Sequence, residues 1–135
     1  MAKILIIEDN AANMKLACLL LNKAGHNPLC AVDAETGLTL ARTTQPDLIL
    51  MDLQLPGMDG LAATALLKQD PATAAIPVIA VTAMAMRADR EKSRAAGCEA
   101  HISKPLRYRE FYEVIDALLA KSRVAGASQE NQPTA

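Results

Sequence analysis

The sequence predicts an α/β fold in which five βα units build one parallel sheet with helices on both faces. Two observations predict it. Five short apolar runs alternate with segments of helix length. Three of these runs, which begin at Ile4, Leu48 and Val78, lack polar alternation, as is typical of parallel strands buried on both faces. The 135 residues, 51% of them hydrophobic, suffice for one domain that buries its own core.

The strand positions follow from the apolar runs. We predict strands at residues 3–7, 29–32, 48–51, 78–81 and 100–102. Because connections between parallel strands are right-handed, such a chain forms a doubly wound sheet. The expected arrangement is the flavodoxin-like (βα)5 fold with strand order 2-1-3-4-5.

Capping and helix-breaking residues set the limits of the helices. Asn10 and Asp33 are suited to cap the first and second helices, and Gly25 ends the first. The third helix is expected at residues 60–69 and the fourth at residues 85–96. The fifth has the clearest apolar stripe, at the helical spacing i, i+3, i+4, i+7 and i+8: Phe111, Val114, Ile115, Leu118 and Leu119.

The C-terminal residues lack the features of a packed element. Residues 122–135 are rich in small and polar side chains and show no apolar periodicity. They therefore lack the buried area that would offset the entropy of ordering the chain. We expect one domain over residues 1–121 and a disordered C-terminal tail over residues 122–135.

Charge and hydropathy exclude two classes of partner. The net charge of -1 leaves no broad basic surface for a phosphate backbone, so no direct nucleic-acid binding is expected. The apolar run at residues 4–7 is too short for a signal peptide or a membrane span. We therefore expect a cytoplasmic protein without membrane insertion.

The three cysteines match neither a disulfide framework nor a zinc site. Cys18, Cys30 and Cys98 are odd in number and widely separated, with no CxxC pair and no histidine at ligand spacing. Cys18 also falls at helical spacing with apolar neighbours, as expected of a buried helix face. We predict that the cysteines act as small hydrophobes, with a redox role as the less favoured alternative.

Polar residues stand at the ends of the predicted strands. In chain order they are Glu8 and Asp9 after the first strand, Asp52 after the third, Thr82 after the fourth and Lys104 past the fifth. The carboxyl ends of parallel strands form one crevice, so we expect these side chains to converge. Three adjacent carboxylates require protonation or a hard cation, and oxygen ligands favour Mg2+. We expect Asp9 and Asp52 as direct ligands, with Glu8 acting mainly through water.

Each of these residues also has an ordinary interpretation. Taken singly, the aspartates are typical helix caps, the threonine a turn residue and the lysine a solvated cation. Their occurrence together on one side of a sheet is not required by core packing and favours a functional site. A carboxylate beside a metal, a hydroxyl and an ammonium suits phosphoryl transfer to Asp52, with Lys104 offsetting charge on the phosphoryl oxygens.

Together these residues resemble the receiver domain of two-component response regulators over about residues 3–121. Four motifs carry the resemblance: Glu8-Asp9-Asn10, residues 52–60 (DLQLPGMDG), residues 81–83 (VTA) and residues 103–105 (SKP). The resemblance implies a phosphoacceptor that signals through phosphorylation-dependent protein–protein interaction. It further implies a phosphohistidine on a histidine kinase or histidine phosphotransfer protein as the phosphodonor, and a downstream protein target.

The resemblance also implies roles for individual residues. Asp52 is the implied phosphoacceptor, and four groups are implied to hold Mg2+: the carboxylates of Glu8, Asp9 and Asp52 and the backbone carbonyl of Gln54. Thr82 is implied to move and hydrogen-bond the phosphoryl group, with which Lys104 pairs. The bond between Lys104 and Pro105 is usually cis in this family.

His101 stands where many receivers carry Tyr or Phe. In the family that side chain turns inward when the threonine moves, so we hypothesise that the rotamer of His101 is coupled to Thr82. A histidine brings hydrogen-bonding demands and titrates near neutral pH. The alternative, an ordinary half-exposed histidine on an edge strand, is equally favoured.

A basic stripe runs along the predicted fourth helix. Arg87, Arg90 and Arg94 recur at i, i+3 and i+7, and most such stripes are simply solvated. The resemblance places this helix on the surface that responds to phosphorylation, so we hypothesise that the stripe contacts an acidic partner. We expect a monomer or a weak phosphorylation-dependent dimer.

Two alternatives belong to other functional classes. A haloacid-dehalogenase-like small phosphatase also uses an aspartate nucleophile, but Gln54 stands where its second acid is needed. A pseudo-receiver that binds partners without phosphorylation is expected to lack part of the site, which is intact here. We therefore expect a signalling protein, not an enzyme, that assists its own phosphorylation and dephosphorylation.

Overall fold

The computed structural model describes residues 2–83 and 87–130, without the side chains of residues 87–89 and 122–130. Five strands alternate with five helices in these residues. The strands are β1 (Lys3–Ile7), β2 (Asn27–Ala31), β3 (Leu48–Asp52), β4 (Val78–Thr82) and β5 (Ala100–Ser103). The helices are α1 (Ala11–Lys23), α2 (Ala34–Thr44), α3 (Gly60–Gln69), α4 (Arg87–Ala96) and α5 (Tyr108–Glu130).

The strands form one parallel sheet in the order β2-β1-β3-β4-β5, which confirms the predicted topology. Because all five strands run in the same direction, their carboxyl ends lie at one edge of the sheet. The order of the strands reverses beside β1, and in open α/β sheets ligands bind outside the carboxyl ends at such a point.

Helices cover both faces of the sheet, as the doubly wound fold requires. Alternate side chains of β1 point to opposite faces: Ile6 packs with α1 and α5, and Ile7 packs with α2 and α3. Phe111 of α5 is fully buried on the first face, and Leu67 of α3 is buried on the second. β3 and β4 are buried along their whole length, as their lack of polar alternation predicts.

β3 and β4 each continue one residue beyond their predicted limits, to Asp52 and Thr82. Apolar character ends at Met51 and Val81, but strand pairing does not. Asp52 still pairs with Val81, and Thr82 pairs with Ser103. The two polar side chains therefore belong to the ends of strands, where the sheet fixes their backbone, and not to the loops that follow.

The first two helices begin at the predicted capping residues. The side chain of Asn10 accepts a hydrogen bond from the Asn13 amide at 3.0 Å, and Asp33 accepts one from the Thr36 amide at 2.7 Å. These bonds satisfy amides that have no partner within the helix. Gly25, which follows α1, has a φ of 83°, a backbone conformation that glycine adopts readily.

β2 and α5 also differ from their predicted limits. β2 begins at Asn27, two residues early, because an edge strand tolerates Pro28. The predicted start of the fourth helix at residue 85 lies outside the described residues. A disordered tail is predicted from residue 122, whereas α5 extends to Glu130. The helix can continue because the chain has no proline between Pro105 and Pro133 to end it. Neither α5 nor any other described helix is long and apolar enough to cross a membrane.

Candidate functional site

The five polar residues singled out in the sequence lie at the carboxyl edge of the sheet. Four strands supply them: Glu8 and Asp9 directly after β1, Asp52 at the end of β3, Thr82 at the end of β4 and Lys104 directly after β5. These strands are neighbours in the sheet, so residues far apart in the chain meet here. Carboxylate oxygens of Glu8, Asp9 and Asp52 lie within 4.8 Å of one another.

The three carboxylates differ in their exposure to solvent. Asp52 is 2% exposed and Glu8 is 5% exposed, whereas Asp9 lies at the surface. Burial is the main cause that raises the pKa of Glu8 above its ordinary value, and the adjacent Asp52 adds to the rise. The hydrogen bonds from Lys104 and from the Asn10 amide act in the opposite direction. The site therefore concentrates negative charge that is costly to bury without a cation.

Lys104 places its ammonium group between the two buried carboxylates. Its Nζ lies 2.9 Å from Glu8 Oε1 and 3.2 Å from Asp52 Oδ2, and its side chain is 16% exposed. Burial by itself would lower the pKa of Lys104, but the hydrogen bond to Glu8 and the charge of Asp52 raise it above its ordinary value. Lys104 is therefore a charged residue whose ammonium group points at the carboxylates of Glu8 and Asp52.

Backbone amides hold the other oxygen of each buried carboxylate. The Asn10 amide donates to Glu8 Oε2 at 3.1 Å, and the Gln54 amide donates to Asp52 Oδ1 at 2.9 Å. Each carboxylate is thus bound by the amide two residues further along the chain and by Lys104. Sequence reasoning did not assign a role to the Asn10 amide, although a turn directly after an acidic strand end is where such a bond forms.

The backbone around Lys104 is tied to β4. The Lys104 amide donates to the Thr82 carbonyl at 2.8 Å, and the peptide bond between Lys104 and Pro105 is cis. In the same way the Leu53 amide, directly after Asp52, donates to the Val81 carbonyl at 3.1 Å. Hydrogen bonds to β4 therefore continue past the ends of β5 and β3. Because the same strand binds the backbone beside both residues, the positions of Lys104 and Asp52 relative to each other are fixed.

Gly60 closes the loop that follows Asp52. A Cβ atom at this position would collide with the carbonyl oxygen of Asp52 and would lie 2.7 Å from the Cα of Leu53. Only glycine permits this approach of α3 to the end of β3. Gly60 was predicted as the first residue of a helix; that it packs directly under Asp52 could be found only from the tertiary structure.

The chemistry of the carboxylate cluster fits Mg2+. Glu8, Asp9 and Asp52 supply hard oxygen atoms, and the exposed Asp9 leaves one side of the cluster open to water. Mg2+ takes one or two carboxylates together with several waters and phosphate oxygens, which such a partly open cluster can accommodate. Gln54 follows Asp52 in the adjoining loop, where its backbone amide, described above, already faces the cluster.

The remaining candidate residues lie next to this site or beside α4. Thr82 is buried at the site, and His101 is half-buried on β5, where it pairs with Ala80 of β4. Arg90 and Arg94 are exposed on α4 and, with His101, line an open pocket of about 200 Å³. Arg87 is the first residue of α4, and its side chain lies outside the described part of the chain. Arg90 and Arg94 of the basic stripe and His101 of β5 thus lie on one surface.

Comparison with known sequences identifies receiver domains as relatives. The sequence profile of the response regulator receiver domain matches residues 4–116. The polar-differentiation response regulator DivK of Brucella anthropi is 47% identical over 116 residues, which cover 86% of this chain and 94% of the relative. DivK of Brucella ovis matches to the same extent.

Comparison with solved structures gives the same result. The receiver domain of a Pseudomonas aeruginosa sensor histidine kinase, described with a magnesium ion coordinated in its active site cleft, has a TM-score of 0.82 and 29% identity, covering 88% of this chain and 98% of that one. A putative response regulator from Chloroflexus aurantiacus has a TM-score of 0.85 and 26% identity with the same coverage. These likenesses confirm the flavodoxin-like fold and do not favour the phosphatase or pseudo-receiver alternatives.

Proposed function

Because this chain belongs to the response regulator receiver domain family, we propose that Asp52 is the carboxylate that accepts the phosphoryl group. One observation carries the assignment. Asp52 ends the central strand β3, is 2% exposed, and has Lys104 Nζ 3.2 Å from Oδ2. A buried carboxylate held by a cation and by a backbone amide is oriented before the phosphodonor arrives, which reduces the entropy cost of the reaction.

The phosphodonor in this proposal is a phosphohistidine on a histidine kinase or histidine phosphotransfer protein. A carboxylate oxygen of Asp52 forms a bond to phosphorus while the P–N bond to the imidazole breaks. The imidazole keeps the electron pair of that bond and takes a proton from water. The ammonium group of Lys104 turns from the two carboxylates to the phosphoryl oxygens. Its positive charge there lowers the energy of the transition state of the transfer. The product is an acyl phosphate, and its hydrolysis restores Asp52.

Mg2+ is the cofactor of this proposal. Glu8, Asp9, Asp52 and the backbone carbonyl of Gln54 would hold it at the cluster described above. When bound, Mg2+ offsets the charge of the carboxylates and of the phosphoryl oxygens. The magnesium ion described for the Pseudomonas aeruginosa receiver supports the assignment by analogy. The protein then assists its own phosphorylation and dephosphorylation and does not turn over other substrates as an enzyme.

The signal passes from Asp52 through Thr82 to the surface of β5 and α4. Thr82 is buried at the site, and its strand pairs with β5 at His101 and Ser103. The proposed movement of Thr82 toward the phosphoryl group changes the space available to His101. Because His101 lines the same pocket as Arg90 and Arg94, its movement changes the surface offered to an acidic partner.

The downstream partner in this proposal is a protein with an acidic surface, and the proposed location of the chain is the cytoplasm. Arg90 and Arg94 project from α4 into solvent, where an acidic partner can bind them without any change in the packing of the core. The variant Arg90→Glu should lose phosphorylation-dependent binding, and unchanged binding of every such partner would contradict this assignment. The proposed state is a monomer or a weak phosphorylation-dependent dimer.

Intact-protein mass spectrometry after incubation with acetyl phosphate tests the central assignment. The wild type should gain the mass of one phosphoryl group, only with Mg2+ present, and Asp52→Asn should gain none. Asp59→Asn is the matched control, because Asp59 is an exposed cap of α3 in the same loop and asparagine caps equally well. A phosphoryl group that persists in Asp52→Asn would place the acceptor elsewhere, and continuous release of phosphate that depends on Asp52 would revive the phosphatase alternative.

A further inference from the structure

Two cysteines that are distant in the sequence lie in contact in the structure. Cys18 of α1 and Cys30 of β2 are free thiols whose Sγ atoms are 3.2 Å apart. A disulfide bond is about 2.0 Å long, so the two sulfur atoms need to approach by only about 1 Å. The sequence favours small hydrophobes over a redox role for the three cysteines, and the contact between Cys18 and Cys30 gives the redox alternative a structural basis for this pair.

The fold explains why these two side chains meet. Leu29 and Ala31 of β2 pack toward α2 and α3, so the intervening Cys30 points to the opposite face, on which α1 lies. Cys18 is half-buried and packs against the hydrophobic cluster of that face. β2 is an edge strand, which leaves Cys30 exposed to solvent. The pair is therefore positioned by the sheet and helix, with one thiol accessible from outside.

We propose that Cys18 and Cys30 form a reversible intramolecular disulfide when the protein meets a low-molecular-weight disulfide such as oxidised glutathione. This modification site is separate from the carboxylate cluster and does not depend on the function proposed for Asp52. The third cysteine, Cys98, is buried against α3, where its Sγ lies 3.8 Å from Thr64 Oγ1, so it does not compete for the oxidant.

The two thiols have different roles in the exchange. The Cys30 thiolate, which is exposed, attacks one sulfur of oxidised glutathione, and the other sulfur leaves as glutathione thiolate. The Cys18 thiolate then attacks the Cys30 sulfur, and the second glutathione thiolate leaves. Two protons pass from the protein thiols to two glutathione molecules, and two electrons reduce the glutathione disulfide. Burial, with the neighbouring Cys30, raises the pKa of Cys18 to about 12, which disfavours Cys18 as the first nucleophile.

The disulfide would join α1 to the edge of the sheet. It closes a chain segment between residues 18 and 30, which removes conformational freedom mainly from the unfolded chain. We expect oxidation to raise the melting temperature by on the order of 5 to 10 °C, reversed by dithiothreitol. A cross-link that strains the native geometry would lower the melting temperature instead, and that outcome would overturn the proposal.

Peptide mapping tests the site directly. After native incubation with oxidised glutathione and trapping of remaining thiols, the wild type should retain one free thiol, and trypsin should release peptide 16–23 linked to peptide 24–42. The link should be absent from Cys18→Ala and Cys30→Ala and retained in Cys98→Ala. In 8 M urea the wild type should form the link much more slowly, because the contact exists only in the folded chain.

Three other outcomes would contradict the proposal. One is a glutathione adduct on Cys30 that persists without a link to Cys18. Another is a dimer on a non-reducing gel that is joined through Cys30. The third is a wild type that keeps all three thiols under conditions in which Cys18→Ala takes up glutathione at Cys30. Because each readout is a covalent mass, none depends on phosphorylation, and failure here leaves the assignment of Asp52 untouched.

Discussion

The ammonium group of Lys104 lies 3.2 Å from Oδ2 of Asp52, in a site where the aspartate side chain is 2% exposed. In so buried a place a carboxylate needs a nearby cation to balance its charge. The same ammonium contacts Glu8 at 2.9 Å, so the lysine is shared before a phosphodonor binds.

Removing the charge of Lys104 should slow phosphorylation of Asp52. In Lys104→Gln the phosphoryl oxygens lose their directed cation, and we expect the rate with acetyl phosphate to fall on the order of 10²-fold. The rate is measured by intact mass against time at saturating Mg2+. Lys121→Gln, at an exposed position of α5, is the matched control and should react like the wild type. Equal rates in the two variants would remove Lys104 from the reaction.

Removing the exposed carboxylate should weaken Mg2+ binding without unfolding the protein. Asp9 shares the carboxylate cluster but lies at the surface, so Asp9→Asn should leave the core intact. Mg2+ at 100 times its Kd should stabilise the wild type by about 2.7 kcal/mol, which appears as a higher melting temperature. We expect that gain to be largely lost in Asp9→Asn and kept in Asp116→Asn, an exposed acid of α5. A gain of the same size in all three proteins would place the metal elsewhere.

Adding one methyl group at Gly60 should disturb Asp52. A Cβ there collides with the Asp52 carbonyl oxygen, and such overpacking costs about 1–3 kcal/mol. We expect Gly60→Ala to lower the free energy of unfolding in urea and to slow phosphorylation as well. Gly57→Ala is the control: its φ of 78° costs about 1–2 kcal/mol, but its Cβ meets no atom. Both variants should therefore be less stable, and only Gly60→Ala should react slowly.

The cap of α2 should make stability depend on pH in acid. A backbone hydrogen bond from Thr36 lowers the pKa of Asp33 below its ordinary value of 3.8. The stability from this bond is present above pH 3.8 and is lost as pH falls through the lowered pKa of the folded protein. Asp33→Asn keeps a cap that does not titrate. Its melting temperature relative to the wild type should rise in that acidic window, and a difference independent of pH would contradict the assignment.

His101 should change rotamer when the site is activated. Beryllofluoride with Mg2+ imitates the phosphoryl group without covalent chemistry, and binding at Asp52 should draw Thr82 toward it. Structures or NMR spectra of the two states should then show different χ1 angles for His101. The control is Asp52→Asn treated in the same way, in which the angle should not change. One rotamer in both states of the wild type would make His101 an ordinary histidine of β5.

The fold and the composition of the site could be predicted from the sequence because both depend on local patterns. Unbroken apolar runs such as that of β3 indicate strands buried on both faces, and parallel strands require helical connections. The polar residue that ends such a run then lies at the carboxyl edge of the sheet. This is why Asp52 and Thr82 could be placed beside Glu8 before any distance was known.

The tertiary structure alone decided how these groups share their charges and which other residues meet. No local pattern predicts that Lys104 bridges Glu8 and Asp52, that Gly60 packs under Asp52, or that Cys18 contacts Cys30. Each of these contacts depends on the distance between separate elements, and that distance is set by the packing of the whole core on the sheet. The order of residues along the chain specifies which chemical groups reach this edge of the sheet, and the packing of the core specifies which of them touch.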